Sequence, residues 1–112
     1  MAYTLEHDPM DSGHLISITG DLDISATPEL STVLLIAAGS PGSLVVLDLS
    51  GVEFIDSTAL GTLLNAGGQI ESAGKKLRVV CAEGPVRRLL EMTNLTSRFQ
   101  LCPTRDDAFA TA

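Results

Sequence analysis

The sequence predicts an α/β fold: a mixed, mainly parallel β-sheet with an N-terminal antiparallel hairpin and packed α-helices. Three observations predict it. Strand-like and helix-like segments alternate along almost the whole chain, the order that crossover units impose. Two runs, LVVLDL (44–49) and LRVVCA (77–82), are apolar with little alternation, as suits strands buried on both faces of a parallel sheet. Hydrophobic residues make up 45% of the 112 residues, enough for one core, so residues 1–112 read as a single domain.

Each element has a local reason. Residues 3–8 and 14–19 read as two strands, with Asp8-Pro9 and Ser12-Gly13 as turn chemistry between them. Gly20 punctuates the second. Thr27 followed by Pro28 is a helix start, and Leu30, Val33, Leu34, Ala37 and Ala38 recur at helical spacing. Gly39-Ser40-Pro41-Gly42 stops that helix. After the strand at 44–49 and the segment SGVEFI, a second helix opens near Asp56-Ser57. Its stripe is Leu60, Leu63, Leu64, Gly67 and Ile70, and Gly74 ends it. Gly67-Gly68 weakens its interior. The strand at 77–82 leads to Gly84-Pro85 and a short helix carrying Val86, Leu89 and Leu90. Phe99 to Cys102 is a last strand and Arg105 to Ala110 a last helix.

Charge and composition exclude several functions. Seven basic against fourteen acidic residues give a net charge of -7, the wrong sign for a phosphate backbone, so no direct nucleic-acid partner is expected. The start, MAYTLEHDP, has no basic stretch followed by an apolar one, and no apolar run approaches a membrane span. The expectation is a cytoplasmic monomer without a membrane partner.

Enzyme motifs fail on spacing. Ala73-Gly74-Lys75-Lys76 lacks the earlier glycine of a phosphate loop, because position 69 is Gln, and no Ser or Thr follows Lys75. A nucleophile elbow around Ser57 would need glycines where Ile55 and Ala59 stand. A response-regulator receiver would need a lysine near its last strand, and none follows Lys76. His7 and His14, with Asp8 and Asp11, match no standard metal spacing and read as a solvated edge hairpin. No enzyme activity, cofactor or metal is expected.

The stretch IDSTALG (55–61) places a hydroxyl pair, Ser57-Thr58, behind Asp56 at a helix start. Either Asp56 or Ser57 can cap the helix, and a cap alone is the simpler account of the heptapeptide. The wider context adds to it. TGDLDISATPEL, VVLDLSGVEFIDSTALGTLL and LRVVCAEGPVRRLLEMTNL occur in that order. With these segments the chain resembles the STAS domains, and most closely the bacterial anti-sigma factor antagonists (anti-anti-sigma factors). The middle segment, D-x-S-G-V followed by D-S-T and a helix, is the most specific.

The resemblance implies a single STAS domain that binds an anti-sigma factor that is also a serine kinase, and so frees a sigma factor for transcription. It implies phosphorylation at Ser57, with Thr58 as the secondary candidate, release of the partner, and reversal by a metal-dependent serine phosphatase. The implied partner-binding residues are Gly20, Asp21, Asp23, Ile24 and Ser25, with Asp56, Ser57, Thr58 and Ala59. Many members of the family have Gly where this chain has Ala59, which favours helix at that turn. The alternative is a non-switching STAS scaffold or transporter-associated subunit. Cys81 and Cys102 fall on strands expected to be neighbours. Two buried free thiols are expected in a reducing compartment, and a Cys81–Cys102 bond that alters partner binding is the redox alternative.

Overall fold

A computed structural model describes residues 3–10, 13–92 and 100–110. The strands are β1 (Tyr3–Met10), β2 (Gly13–Leu22), β3 (Leu44–Ile55), β4 (Lys76–Val80) and β5 (Gln100–Cys102). The helices are α1 (Thr27–Gly39), α2 (Ser57–Ser72), α3 (Pro85–Met92) and α4 (Arg105–Ala110). The order is the expected one. The sheet runs β1-β2-β3-β4-β5, with β1 antiparallel to β2 and every later pair parallel.

Side-chain alternation along the strands divides the interior in two. Ile16, Ile18, Val45, Leu47, Leu49, Leu77 and Val79 face the layer of α1, α2 and α3. Leu15, Leu44, Val46, Val80 and Cys102 face α4 through Ala108. The large core therefore lies on one face and a small one on the other.

Four boundaries differ from the sequence expectation, the simplest being β4, which ends at Val80 rather than Ala82. Asp8-Pro9 is not the hairpin turn, because β1 continues to Met10. An edge strand accommodates proline there. Ser12, also assigned to the turn, and Asp11, named with the two histidines, lie outside the described residues, as does Phe99 at the start of the expected last strand. Gly20 does not end β2. Its φ of 90° turns the strand locally, and pairing resumes through Asp21 and Leu22. Nor does β3 end at Leu49. It runs on to Ile55 with an extra residue opposite the Ser17–Thr19 step and another opposite Gly20–Asp21. Such bulges break the two-residue period that sequence reading relies on.

Two further expectations change. Thr27 does not cap α1 with its side chain. The N-cap position is Ala26 with no side-chain bond, and the Thr27 hydroxyl donates to the Ile24 carbonyl at 2.9 Å. His14 is not a solvated hairpin residue. It is 7% exposed and shares a 2.7 Å hydrogen bond between its Nδ1 and His7 Nε2.

Candidate functional site

The residues expected from the sequence to bind a partner gather at one end of the molecule, where β2 and β3 finish. Leu22 pairs with Ile55, the last residue of β3. The Asp56 N–H donates to the Leu22 carbonyl at 3.1 Å, extending that ladder by one bond. The two chain segments that leave the sheet here, 23–26 and 56–59, therefore start side by side.

Asp56 is the N-cap of α2. Its backbone is extended, with φ -95° and ψ 175°, and its Oδ1 accepts the Ala59 N–H at 2.8 Å. Of the two caps the sequence allowed, the carboxylate is the one used. Ser57 is consequently the first residue of the helix, and both Ser57 and Thr58 are exposed. The amides of a first turn have no partner within the helix and lie at the positive end of its dipole, so an anion on Ser57 meets favourable surroundings. Ala59 is fully buried. Its methyl packs in the core and cannot touch a partner. Its contribution here is the N–H that Asp56 accepts.

The neighbouring turn is built from its own polar groups. Asp23 Oδ1 accepts both the Ser25 N–H, at 3.0 Å, and the Ser25 hydroxyl. The Ala26 N–H closes on the Asp23 carbonyl at 3.0 Å. The two Ser25 bonds hold the Asp23 carboxyl below its usual range, the hydroxyl being the main cause. Asp21 is half-buried within β2, and Ile24 and Ser25 project into solvent. Ile24 is 68% exposed, a large apolar side chain held outside the core.

Phe54 was not singled out by the sequence. It pairs with Asp21 across the β2–β3 ladder and is 45% exposed. The second bulge in β3 leaves Glu53 and Phe54 consecutively exposed while Val52 and Ile55 are buried. The only available signal was an aromatic placed two residues before Asp56, in a chain with three Phe and one Tyr. The pole thus presents an exposed hydroxyl pair, two exposed apolar side chains, and carboxylates from Asp21, Asp23 and Asp56. Neither histidine lies at this end: both stand on the β1–β2 hairpin.

The two cysteines lie elsewhere and apart. The Cys81 N–H donates to the Cys102 carbonyl at 2.9 Å, so their backbones are adjacent. However, Cys102 pairs with Val80, which puts the Cys81 and Cys102 side chains on opposite faces of the sheet and in different clusters. Both are free and buried, and burial raises both thiols above their usual range. A bond between them would require one strand to turn over. Among the described residues no helix is long and apolar enough to cross a membrane.

Comparison with known proteins agrees with this architecture. The chain is 26% identical over 95 residues to an anti-sigma-B factor antagonist of Staphylococcus aureus, covering 85% of this chain and 88% of that one. An anti-sigma factor antagonist from Mycobacterium paratuberculosis superposes with a TM-score of 0.87 at 27% identity, covering 98% of this chain and 93% of that one. The Bacillus cell fate determinant SpoIIAA, solved in its phosphorylated form, superposes with a TM-score of 0.73 at 17% identity, with 98% of each chain covered. The STAS domain profile matches residues 6–108, and with the sheet order and the Asp56-capped helix in place, the chain belongs to the STAS domain family.

Proposed function

We propose that this protein is an anti-sigma factor antagonist that binds an anti-sigma factor with serine-kinase activity and is switched off by phosphorylation at Ser57. One observation carries the reading: Ser57 is an exposed first-turn hydroxyl, set by the Asp56 cap, at the pole where Ile24 and Phe54 are also exposed. The names of the Staphylococcus and Mycobacterium relatives point the same way.

The chemistry divides between two proteins. The kinase supplies ATP and the base. Ser57 Oγ attacks the γ-phosphorus, the bond to ADP breaks, and the hydroxyl proton passes to the kinase base. A metal-dependent serine phosphatase returns the hydroxyl and releases inorganic phosphate. The phosphate adds about -1.5 to -2 charges beside Asp56. First-turn amides accommodate it, so the fold survives, while a closely packed interface does not tolerate it. A fold that SpoIIAA also keeps in a phosphorylated form fits such a switch. The partner surface comprises Asp21, Asp23, Ile24 and Ser25 from the first segment, with Gly20 setting the approach of β2. Asp56, Ser57 and Thr58 complete it from the second. Phe54 joins it from β3.

The test is incubation with ATP and the anti-sigma kinases of the same genome, with mass-spectrometric mapping. Phosphate is expected on Ser57 and absent from Ser57→Ala. Ser57→Ala should hold the kinase in the presence of ATP, and Ser57→Asp should bind at least tenfold more weakly. A stable complex that carries no phosphate and ignores Ser57→Asp would replace the switch with a scaffold.

A further inference from the structure

Asp56 uses its two carboxylate oxygens on different parts of the chain. Oδ1 caps α2 through the Ala59 N–H. Oδ2 accepts the N–H of Ile24 at 3.1 Å, across 32 residues of sequence. The other bonds of the 23–26 turn are internal to it: Ser25 to Asp23, Ala26 to Asp23, Thr27 to Ile24. They shape the turn without joining it to α2. Among the described residues, the side-chain tie between the turn and the start of α2 is the Asp56 carboxylate.

We infer that Asp56 is a positioning residue for partner binding, whose second oxygen fixes the backbone of Ile24 so that this exposed side chain stands ready beside Ser57 to enter an apolar pocket of the partner. The inference rests on the proposed function for the partner's identity. An apolar anchor on a turn is effective when its backbone is ordered beforehand, because ordering it at the moment of binding costs affinity. A charged acceptor makes the stronger kind of hydrogen bond for that purpose. The same carboxylate thus sets the helix start that presents Ser57 and the turn that presents Ile24. One residue keeps the modified hydroxyl and the apolar contact in register.

Asp56→Asn separates the two roles. Asparagine caps helices about as well as aspartate, so its amide oxygen retains the Ala59 N–H. Its amide nitrogen is a donor and cannot accept from Ile24. In the free protein, hydrogen exchange at the Ile24 amide should become at least tenfold faster while the Ala59 amide stays close to wild type, and the melting temperature should fall by only a few degrees. Affinity for an anti-sigma kinase that binds the wild-type chain should fall roughly tenfold, because the turn must then be ordered on binding. Ile24→Ser removes an exposed side chain and leaves the Asp56 bonds in place. It should weaken binding at least as much, and the double variant should be no weaker than Ile24→Ser alone. Unchanged Ile24 exchange in Asp56→Asn overturns the inference. So does affinity within twofold of wild type for either single variant. A wild-type chain that binds none of the anti-sigma kinases would instead defeat the proposed function, and the exchange measurement would still decide whether Asp56 holds the turn.

Discussion

His14 shows at the residue scale how burial sets a charge state. Burial is the main cause that lowers its pKa from 6.5, with the charges of His7 and Lys75 acting in the same direction and the Pro41 carbonyl opposing them. The sign of the consequence is fixed. The unfolded chain takes up a proton near the ordinary histidine value before the folded one does, so stability is full above about pH 6.5 and declines as pH falls below it. Urea unfolding at pH 7.5 and pH 5.5 should show that decline, and His14→Leu should flatten it. Asp48 behaves differently although it too is buried, at 5% exposure. Burial pushes its carboxyl up, yet the hydroxyl and N–H of Ser50 together with Arg105 outweigh burial and hold it below the carboxylate range. Its contribution is present above the ordinary aspartate pKa and is lost as pH falls below it.

At the scale of elements, α4 is fastened to the sheet by side chains as much as by apolar contact. Arg105, in its first turn, pairs with Asp48 on β3 and donates to the Ser17 hydroxyl on β2 at 2.9 Å. Arg78 on β4 donates to the Ala108 carbonyl at 2.6 Å from beneath the helix. The small cluster under α4 provides less apolar burial than the opposite face, so these ties matter more there. Arg105→Ala should cost about 1–2 kcal/mol. That is below the value for a fully buried pair, because the Arg105 side chain is half exposed and the Ser50 bonds remain. Adding Asp48→Asn should recover part of the loss by removing the unpaired buried charge. Chemical denaturation of the two single variants and the double variant measures both effects. The bulges of β3 act at this scale as well: they carry Phe54 to the surface and deliver Asp56 next to Ile24.

For the whole molecule, the net charge of -7 and the carboxylates around Ser57 give the proposed partner surface a negative field. Charge of this kind acts mainly on the rate of encounter. Association with the proposed anti-sigma kinase partner should therefore slow several-fold between 50 and 500 mM salt in stopped-flow measurements, while dissociation changes little. A rate that is indifferent to salt would assign recognition to the apolar contacts of Ile24 and Phe54 alone. The asymmetry of the fold matters too. Among the described residues three helices cover one face and one short helix covers the other, and the proposed partner pole sits at the strand ends between them.

The sequence by itself determined the order of elements, because apolar periodicity and turn residues act over a few neighbours and leave their mark in the local composition. The Asp56-Ser57 helix start was legible for the same reason, since a cap is a bond between residues three apart. Tertiary structure decided what depends on distant partners. It chose Asp56 over Ser57 as the cap, carried β2 through Gly20 and β3 through two bulges, buried His14, and turned the two thiols to opposite faces. The bonds from Ile24 to Asp56 and from Arg105 to Asp48 span 32 and 57 residues. No local pattern encodes such pairs, because the sheet register that brings them together is set by the pairing of whole strands.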